Sequence, residues 1–382
     1  TSSNPAYFDM NYTYLKPTNG SIAESKIDLS SASSNNIDDV TYTGNPIEPN
    51  VVLTLDNKTL KLDEDYTITY SNNTSVGTGE IIINGINRYT GTKTISFKIT
   101  PQTISNVSLN SKTINSITFS WDKIDNITGY EVYKYDEFSN TYTLLDTISD
   151  NSINTYTDKN LTSASTYNYA IRAYKVIDKT TYYGNYSNIF TDSTKVNKVT
   201  NLKLDVRNAT SLQISWDKVD NVDGYRIYRL DPSTNVYTLV DTIYGENITS
   251  YTHDSRVSAT SYYYRVKAFK YLNGMNRYSD YSSTLKATTK PLQPVVSLSS
   301  TKTKYINLSW TKISKRTTGY EIYMSTSKNG TYTLVGTTSN KSFSKGNLTK
   351  GKTYYFKVRA YRSVDNTKIY SSYSTVKSIV CK

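Results

Sequence analysis

The sequence predicts an all-β protein made of tandem β-sandwich modules, and three observations support this. Tyr alone contributes 38 of the 382 residues, and turn-forming Asn, Ser, Asp and Gly separate the strand-forming residues. Apolar and polar residues alternate over short runs, as at Ile117, Phe119 and Trp121, which predicts half-buried strands. One long segment occurs three times. A chain of this length is expected to hold three or four domains.

The repeated segment is marked by tryptophan. Trp121, Trp216 and Trp310 are the three tryptophans of the chain, and they are 95 and 94 residues apart. A unit of this length is the size of a seven-stranded sandwich, in which a Trp is large enough to reach both inner faces. We therefore predict that each Trp lies in the core of its own unit. Each is followed by a Gly-Tyr-x-Val/Ile-Tyr strand, which begins at Gly129, Gly224 and Gly319.

A second strand pattern, Tyr-x-Tyr/Phe-x-Val/Ile-x-Ala, follows in each unit, and each unit closes with a Tyr-Ser pair. Together these features resemble fibronectin type III domains, from Pro101 to Lys382. The resemblance implies three sandwiches, and we place them at 101–194, 195–290 and 291–382. We call these ranges the first, second and third repeats.

The resemblance also implies a tyrosine corner in each repeat, formed by a leucine and a following tyrosine. Leu161 and Leu348 stand six residues before their tyrosines, whereas in the second repeat Val257 replaces the leucine and is one residue closer. The structural core implied in this way comprises Trp121, Trp216, Trp310, Tyr167, Tyr262, Tyr354, Leu161 and Leu348.

The residues before position 101 have a different pattern. Residues 38–100 alternate with period two and break at Gly and Asn, which predicts a small Ig-like all-β domain. They resemble a repeat common in surface proteins of Gram-positive bacteria. Residues 1–37 show little pattern and are taken as a leading segment. Short linkers join the modules, so we predict an extended rod of roughly 120 Å, most mobile near 194–198.

Composition argues against catalysis and against a cofactor. One Cys and one His cannot build a Cys/His metal site. His253 lies beside Asp254 and Ser255, but adjacency in sequence is not triad geometry, and we interpret it as a solvated loop residue. Asp56, Asp63, Glu64 and Asp65 are either a calcium site or, as we favour, a charged hairpin turn. We therefore predict a protein that is not an enzyme, without catalytic, cofactor-binding or metal-binding residues.

The net charge is +12, but the basic residues are interspersed and no recognition helix is evident, which argues against nucleic acid as a partner. No apolar run approaches the ~20 residues of a membrane span. A row of tyrosines on one sheet face is the strongest binding signal. It either contacts a ligand or, as we favour, stiffens the sheet by cross-strand pairing. The row comprises Tyr133, Tyr228, Tyr323, Tyr263 and Tyr355.

The sequence thus predicts a non-catalytic spacer, display and adhesion segment of a larger bacterial surface or secreted protein. We expect a monomer located at the Gram-positive cell wall or outside the cell, because a secreted chain without disulfides suits that setting. The candidate partners are glycans, wall polymers and host proteins. The alternative is a set of accessory modules of a secreted glycoside hydrolase or wall-lytic enzyme.

Overall fold

A computed structural model describes residues 24–311 and 313–382. These residues form β-strands joined by turns, with one short 3-10 turn at Leu29–Ser31, and the described residues contain no α-helix. Contacts group the chain into two compact units. One comprises the described residues up to Ser108 with Ser120–Thr155 and Asn168–Phe190, and the other comprises Leu109–Phe119, Tyr156–Tyr167 and the described residues of Thr191–Lys382.

The N-terminal module packs three small sheets, with strand orders β1-β8, β2-β4-β5 and β3-β9-β7-β6. Its core includes Ile81, Ile83 and Ile99, which alternate with more exposed neighbours as the period of two predicts. The strands are β1 (Ile27–Asp28), β2 (Ser33–Ser34), β3 (Val40–Thr41), β4 (Leu53–Leu55), β5 (Lys58–Thr59), β6 (Tyr66–Ser71), β7 (Gly77–Gly85), β8 (Tyr89–Thr90) and β9 (Thr92–Thr100).

The leading segment is part of this module from residue 27 onward. Strand β1 pairs with β8 and β2 pairs with β4, and Leu29 between them is fully buried in the module's core. The module therefore starts before residue 38, where the sequence pattern placed its boundary. Strands β1 and β2 pair with strands that lie later in the sequence, and the composition of residues 1–37 does not predict this pairing. Residues 1–23 of the predicted leading segment lie outside the described residues.

The first repeat contains a three-stranded sheet in the order β10-β11-β14 and a larger sheet with the path β13-β12-β15-β16. Antiparallel pairing places Tyr133 opposite Ala170 and Glu131 opposite Arg172. The strands are β10 (Ser108–Lys112), β11 (Ser116–Ser120), β12 (Gly129–Asp136), β13 (Thr141–Ile148), β14 (Thr155–Lys159), β15 (Thr166–Ile177), β16 (Thr180–Tyr183) and β17 (Phe190–Ser193).

The second repeat has the same two strand orders, β18-β19-β22 and β21-β20-β23-β24, and β25 also pairs with β23. Both sheets contribute to one core around Trp216, which makes this repeat a β-sandwich. The strands are β18 (Lys203–Arg207), β19 (Leu212–Ser215), β20 (Gly224–Asp231), β21 (Val236–Tyr244), β22 (Ser250–His253), β23 (Ser261–Leu272), β24 (Met275–Tyr278) and β25 (Leu285–Thr288).

The third repeat is a sandwich of the same order, β26-β27-β30 and β29-β28-β31-β32, with β33 paired to β31. Its core surrounds Trp310 and includes Cys381, next to the last residue. The strands are β26 (Val295–Ser299), β27 (Ile306–Thr311), β28 (Gly319–Ser325), β29 (Thr333–Thr338), β30 (Ser342–Lys345), β31 (Thr353–Val364), β32 (Thr367–Tyr370) and β33 (Lys377–Val380).

Two recurring sequence features have a direct structural cause. A Cβ atom at Gly129 or Gly224 would lie 1.9 Å from a carbonyl oxygen of the neighbouring strand, so the Gly-Tyr pair allows close strand approach. The serine of each closing Tyr-Ser pair is buried, and its hydroxyl accepts a hydrogen bond from a backbone N–H of the long strand. These bonds run from Ile171 to Ser187, from Val266 to Ser282 and from Val358 to Ser374, at 3.1, 2.9 and 3.0 Å.

Candidate functional site

The three tryptophans are buried, with Trp121, Trp216 and Trp310 at 2%, 4% and 3% exposure. Each packs against the tyrosine of its Gly-Tyr pair, with ring centroids about 5 Å apart. In the second repeat the Tyr225 hydroxyl accepts a hydrogen bond from Val219 N–H at 3.0 Å and donates to the Glu246 carbonyl at 2.8 Å. The aromatic pair is therefore fixed to the surrounding loops as well as to the core.

The tyrosine corners have one geometry in all three repeats. Each tyrosine hydroxyl accepts a hydrogen bond from the backbone N–H five residues earlier. The pairs are Thr162–Tyr167 at 2.8 Å, Val257–Tyr262 at 2.8 Å and Thr349–Tyr354 at 3.0 Å. Leu348 is buried and Leu161 is half-buried.

The second corner corrects the assignment of Val257. Val257 is 64% exposed, so it does not fill the leucine position. Arg256 stands six residues before Tyr262 and occupies that position, with its guanidinium 5.6 Å from the Tyr262 ring centroid. A cation over the ring face therefore replaces aliphatic packing at this corner.

The tyrosines of the row lie on the outer face of the larger sheet, but they are not open to solvent. Tyr133 is only 7% exposed, which corrects its assignment to a ligand-facing surface. Tyr228, Tyr323, Tyr263 and Tyr355 are half-buried. Neighbouring tyrosines cover the row: Tyr186, Tyr281 and Tyr373 pack edge-on against Tyr133, Tyr228 and Tyr323, with centroids 5.0, 5.1 and 5.4 Å apart.

In the third repeat one tyrosine of the row, Tyr323, contacts a buried carboxylate. Glu321 accepts hydrogen bonds from Arg359 at 2.7 and 3.0 Å, from Lys368 at 2.9 Å, and from the hydroxyls of Tyr323 and Tyr370 at 2.9 and 3.1 Å. Burial alone would disfavour the charged form. The hydrogen bonds from Lys368, Arg359 and the tyrosines outweigh burial and lower the pKa of Glu321 to about 2. We call this arrangement the carboxylate network.

The first repeat has an equivalent network. Glu131 is 8% exposed and accepts hydrogen bonds from Arg172 at 2.8 Å and from the Tyr133 hydroxyl. Burial and the bond to Glu131 raise the pKa of Tyr133. The Arg172 guanidinium lies 3.8 Å from the Tyr183 ring centroid, and Arg359 is placed in the same way over Tyr370 at 3.6 Å.

The second repeat lacks this carboxylate. Arg226 occupies the strand position of Glu131 and Glu321, and its cross-strand partner is Lys267. Two cations therefore face each other where the other repeats pair an anion with a cation. The Arg226 guanidinium lies 4.6 Å from the Tyr278 ring centroid, and the Lys267 ammonium lies 4.1 Å from that of Tyr281.

Sequence reasoning missed this difference, although the signal is visible. The Gly-Tyr strands read Gly-Tyr-Glu, Gly-Tyr-Arg and Gly-Tyr-Glu, so one position reverses its charge in the second repeat. The motif pattern treated that position as variable. The structure shows that it faces the basic residue of the next strand, at Arg172, Lys267 and Arg359.

His253 is not a solvated loop residue, which corrects its interpretation from sequence. It lies on strand β22 opposite Leu212 and is 8% exposed, and its Nδ1 atom is 2.8 Å from the Tyr264 hydroxyl. Burial, followed by the nearby charges of Arg256 and Arg229, lowers the pKa of His253 to about 4. The imidazole is therefore neutral at physiological pH.

The acidic cluster of the N-terminal module lies in turns. Asp56 and Asp63 adopt positive φ angles, and the Asp65 carboxylate accepts the Lys61 N–H at 2.8 Å. Glu64 and Lys61 form an exposed ion pair at 3.1 Å. Within residues 24–311 and 313–382, no three His, Cys, Asp or Glu side chains gather as metal ligands would. Nor do these residues include a helix able to cross a membrane.

A family model matches one of these modules, the third repeat. Residues 289–376 match the family model "Fibronectin type III domain", and that family is generally non-catalytic. A two-domain fibronectin type III segment of chicken tenascin is 14% identical, covers 49% of this chain and 99% of its own, and has a TM-score of 0.38.

A structure of chicken CNTN1 FN1-FN3 domains is 16% identical, covers 73% of this chain and 99% of its own, and has a TM-score of 0.28. No curated protein sequence matches significantly. Residues 289–376 thus match the fibronectin type III family, and the chain has the all-β tandem sandwich architecture that the sequence predicted.

Proposed function

We propose that this chain is a non-catalytic spacer and display segment of a bacterial surface or secreted protein. The fibronectin type III family is typical of extracellular proteins, and tandem modules of this kind fit a spacer or adhesion role. The observation that carries the proposal is the repetition of one module with short joints. The length that such a chain can span increases with each added module, because each module is stabilised by its own hydrophobic core.

The joint between the first and second repeats supports this role. Asn221 adopts a φ of +58° and donates its side-chain amide to the Ser163 and Ala164 carbonyls and to the Ser165 hydroxyl, at 2.9, 3.1 and 3.0 Å. Val196 in the linker is buried against the second repeat. These contacts lie at the joint 194–198, which the sequence predicts to be the most mobile, and they restrain it.

The joint between the second and third repeats is also held. The Ser258 hydroxyl donates to the Ser314 hydroxyl at 2.6 Å, and the same Ser314 oxygen accepts the Leu292 N–H at 2.9 Å. Lys286 and Asp365 form an ion pair at 2.7 Å across the joint. A few side chains thus restrain the joints on both sides of the second repeat.

Small-angle X-ray scattering tests the proposal directly. A compact chain of this length would have a radius of gyration of about 21 Å. Four modules in line would give a maximum dimension of roughly 120 Å, because each is roughly 30 Å long. A radius of gyration near the compact value would contradict the spacer role. The alternative, accessory modules of a carbohydrate-active enzyme, predicts glycan binding in addition to reach.

A further inference from the structure

The second repeat holds the counterparts of two hydrogen-bond donors that bind a carboxylate in the first and third repeats, and it adds a third donor. The Tyr323 hydroxyl and Arg359 bind Glu321, and their counterparts Tyr133 and Arg172 bind Glu131. The corresponding residues of the second repeat are Tyr228 and Lys267. The third donor, Arg226, replaces the glutamate itself.

These donors have no anion of their own. The Nε atom of Arg226 is buried without a hydrogen-bond partner. The ion pairs of the second repeat involve Lys218, Lys270 and Lys286. Within residues 24–311 and 313–382, neither Arg226 nor Lys267 forms an ion pair, and the Tyr228 hydroxyl makes no hydrogen bond. Arg265 is two residues from Lys267 on the same strand face and adds a third cation, with its guanidinium 4.3 Å from the Tyr237 ring centroid.

We propose that this face of the second repeat binds the carboxylate groups of an acidic polysaccharide. An incoming carboxylate would sit between Arg226 and Lys267 and restore the charge pairing that Glu131 and Glu321 provide in the other repeats. Hydrogen bonds between cations and a carboxylate are stronger than neutral ones, and a partly buried position strengthens them further. The sister repeats therefore show both the chemical group and the donors that hold it.

The surrounding residues favour a sugar as the carrier of the carboxylate. Tyr228, Tyr278 and Tyr281 surround the two cations, and Tyr278 is 38% exposed. Aromatic rings pack against the C–H faces of pyranose rings. Binding of a peptide carboxylate does not require such an aromatic surface. The half-buried outer face of the sheet still presents the exposed Tyr278, and the net charge of +12 attracts a polyanion. This site is independent of the proposed spacer role.

Isothermal titration calorimetry of the full chain with hexagalacturonate tests the site. Maltohexaose serves as the neutral sugar and hexaglutamate as the acidic peptide. We expect saturable binding of hexagalacturonate, at least tenfold weaker binding of both other probes, and at least a tenfold loss in Arg226→Glu. This variant is expected to fold, because the sister repeats carry Glu at the same strand position.

Two further variants keep the result interpretable. Arg226→Gln removes the cation without adding a charge, and we expect it to lose affinity as well. Lys58→Glu changes the net charge as much as Arg226→Glu does, but it lies on an exposed strand of the N-terminal module, and we expect less than a twofold change. Equal losses in Lys58→Glu and Arg226→Glu would overturn the site, as would absence of hexagalacturonate binding. Equal or tighter binding of hexaglutamate would overturn the carbohydrate assignment.

Discussion

Nδ1 of His253 and the hydroxyl of Tyr264 lie 2.8 Å apart inside the second repeat, and their rings are nearly perpendicular. Both side chains are buried, with Tyr264 fully inaccessible to solvent. The single histidine of the chain is thus a core residue, and protonating it would place a charge in a buried position near the cations Arg256 and Arg229.

This relationship makes the second repeat sensitive to mild acid. The unfolded chain takes up a proton at a His pKa near 6.5, whereas the folded chain resists protonation until about pH 4. The stabilising contribution is complete above pH 6.5 and is lost as pH falls toward 4, by roughly 3 kcal/mol in total. Urea unfolding followed by Trp216 fluorescence, with the other tryptophans replaced by Phe, measures this loss.

The carboxylates of the chain titrate in an overlapping range, so a matched variant is needed. His253→Gln keeps a polar partner for Tyr264 but does not titrate. Between pH 7.5 and 4, the parent should lose most of the 3 kcal/mol of unfolding free energy relative to this variant. A difference independent of pH would show that His253 is not the group responsible.

The second tyrosine corner provides a test with an internal control. Tyr262→Phe removes the acceptor for the Val257 N–H, and we expect it to lower the unfolding free energy of the second repeat by about 1 kcal/mol. Tyr263→Phe alters the next residue on the same strand, which faces outward, and should change stability by less than about 0.5 kcal/mol. Equal effects would mean that the hydroxyl bond contributes nothing specific.

Replacement of a core tryptophan tests the independence of the repeats. Trp216→Ala should cost about 3–5 kcal/mol, because it leaves a cavity between the two sheets. Differential scanning calorimetry should show one transition moving to lower temperature while those of the other modules stay in place. If all transitions shifted together, the modules would be one cooperative body.

The carboxylate network should be a strong local determinant of stability. Glu321→Gln leaves Arg359 and Lys368 without their counter-charge, and we expect a loss of roughly 2–4 kcal/mol in the third repeat. Glu137→Gln, at an exposed turn, is the control and should be nearly neutral. Chemical denaturation monitored by Trp310 fluorescence measures the effect. A neutral Glu321→Gln would mean that the network makes no net contribution.

The Asn221 contacts should protect the joint after the first repeat. Asn221→Ala removes all three side-chain hydrogen bonds, so trypsin should cut after Lys195 or Lys198 several times faster than in the parent chain. Asn185→Ala, at an exposed position, is the control. Unchanged cleavage in Asn221→Ala would indicate that the buried linker residues alone hold the joint.

Much of the fold can be predicted from the sequence, because the same pattern of strand residues occurs in all three repeats. Alternation at Ile117 and Phe119 predicts buried positions, and both are fully buried. The same rule predicts which sheet face Tyr133 occupies, but not its exposure. Exposure depends on Arg172 and Tyr186, which come from other parts of the repeat and cover the ring. The alternation of residues along a strand predicts which face of the sheet a side chain lies on. Only tertiary contacts determine whether that side chain is exposed to solvent.

Other misses have the same long-range origin. His253 lies in a polar run that is typical of a loop, yet strand pairing with β19 turns its ring toward Tyr264. Val257 resembles leucine in residue type, but its backbone N–H donates to the Tyr262 hydroxyl. The leucine position of the corner is therefore one residue earlier, at Arg256. The charge reversal at Arg226 matters because this residue lies opposite Lys267, and the sequence alone does not show that strand register.

The placement of Glu321, Glu131 and Arg226 also gives the repeats different responses to ionic strength. Buried ion pairs are screened only weakly, so the first and third repeats should be nearly indifferent to added salt. In the second repeat, counterions can reduce the repulsion between Arg226 and Lys267. We therefore expect the second repeat to gain stability as salt rises, while the stability of the first and third repeats changes little.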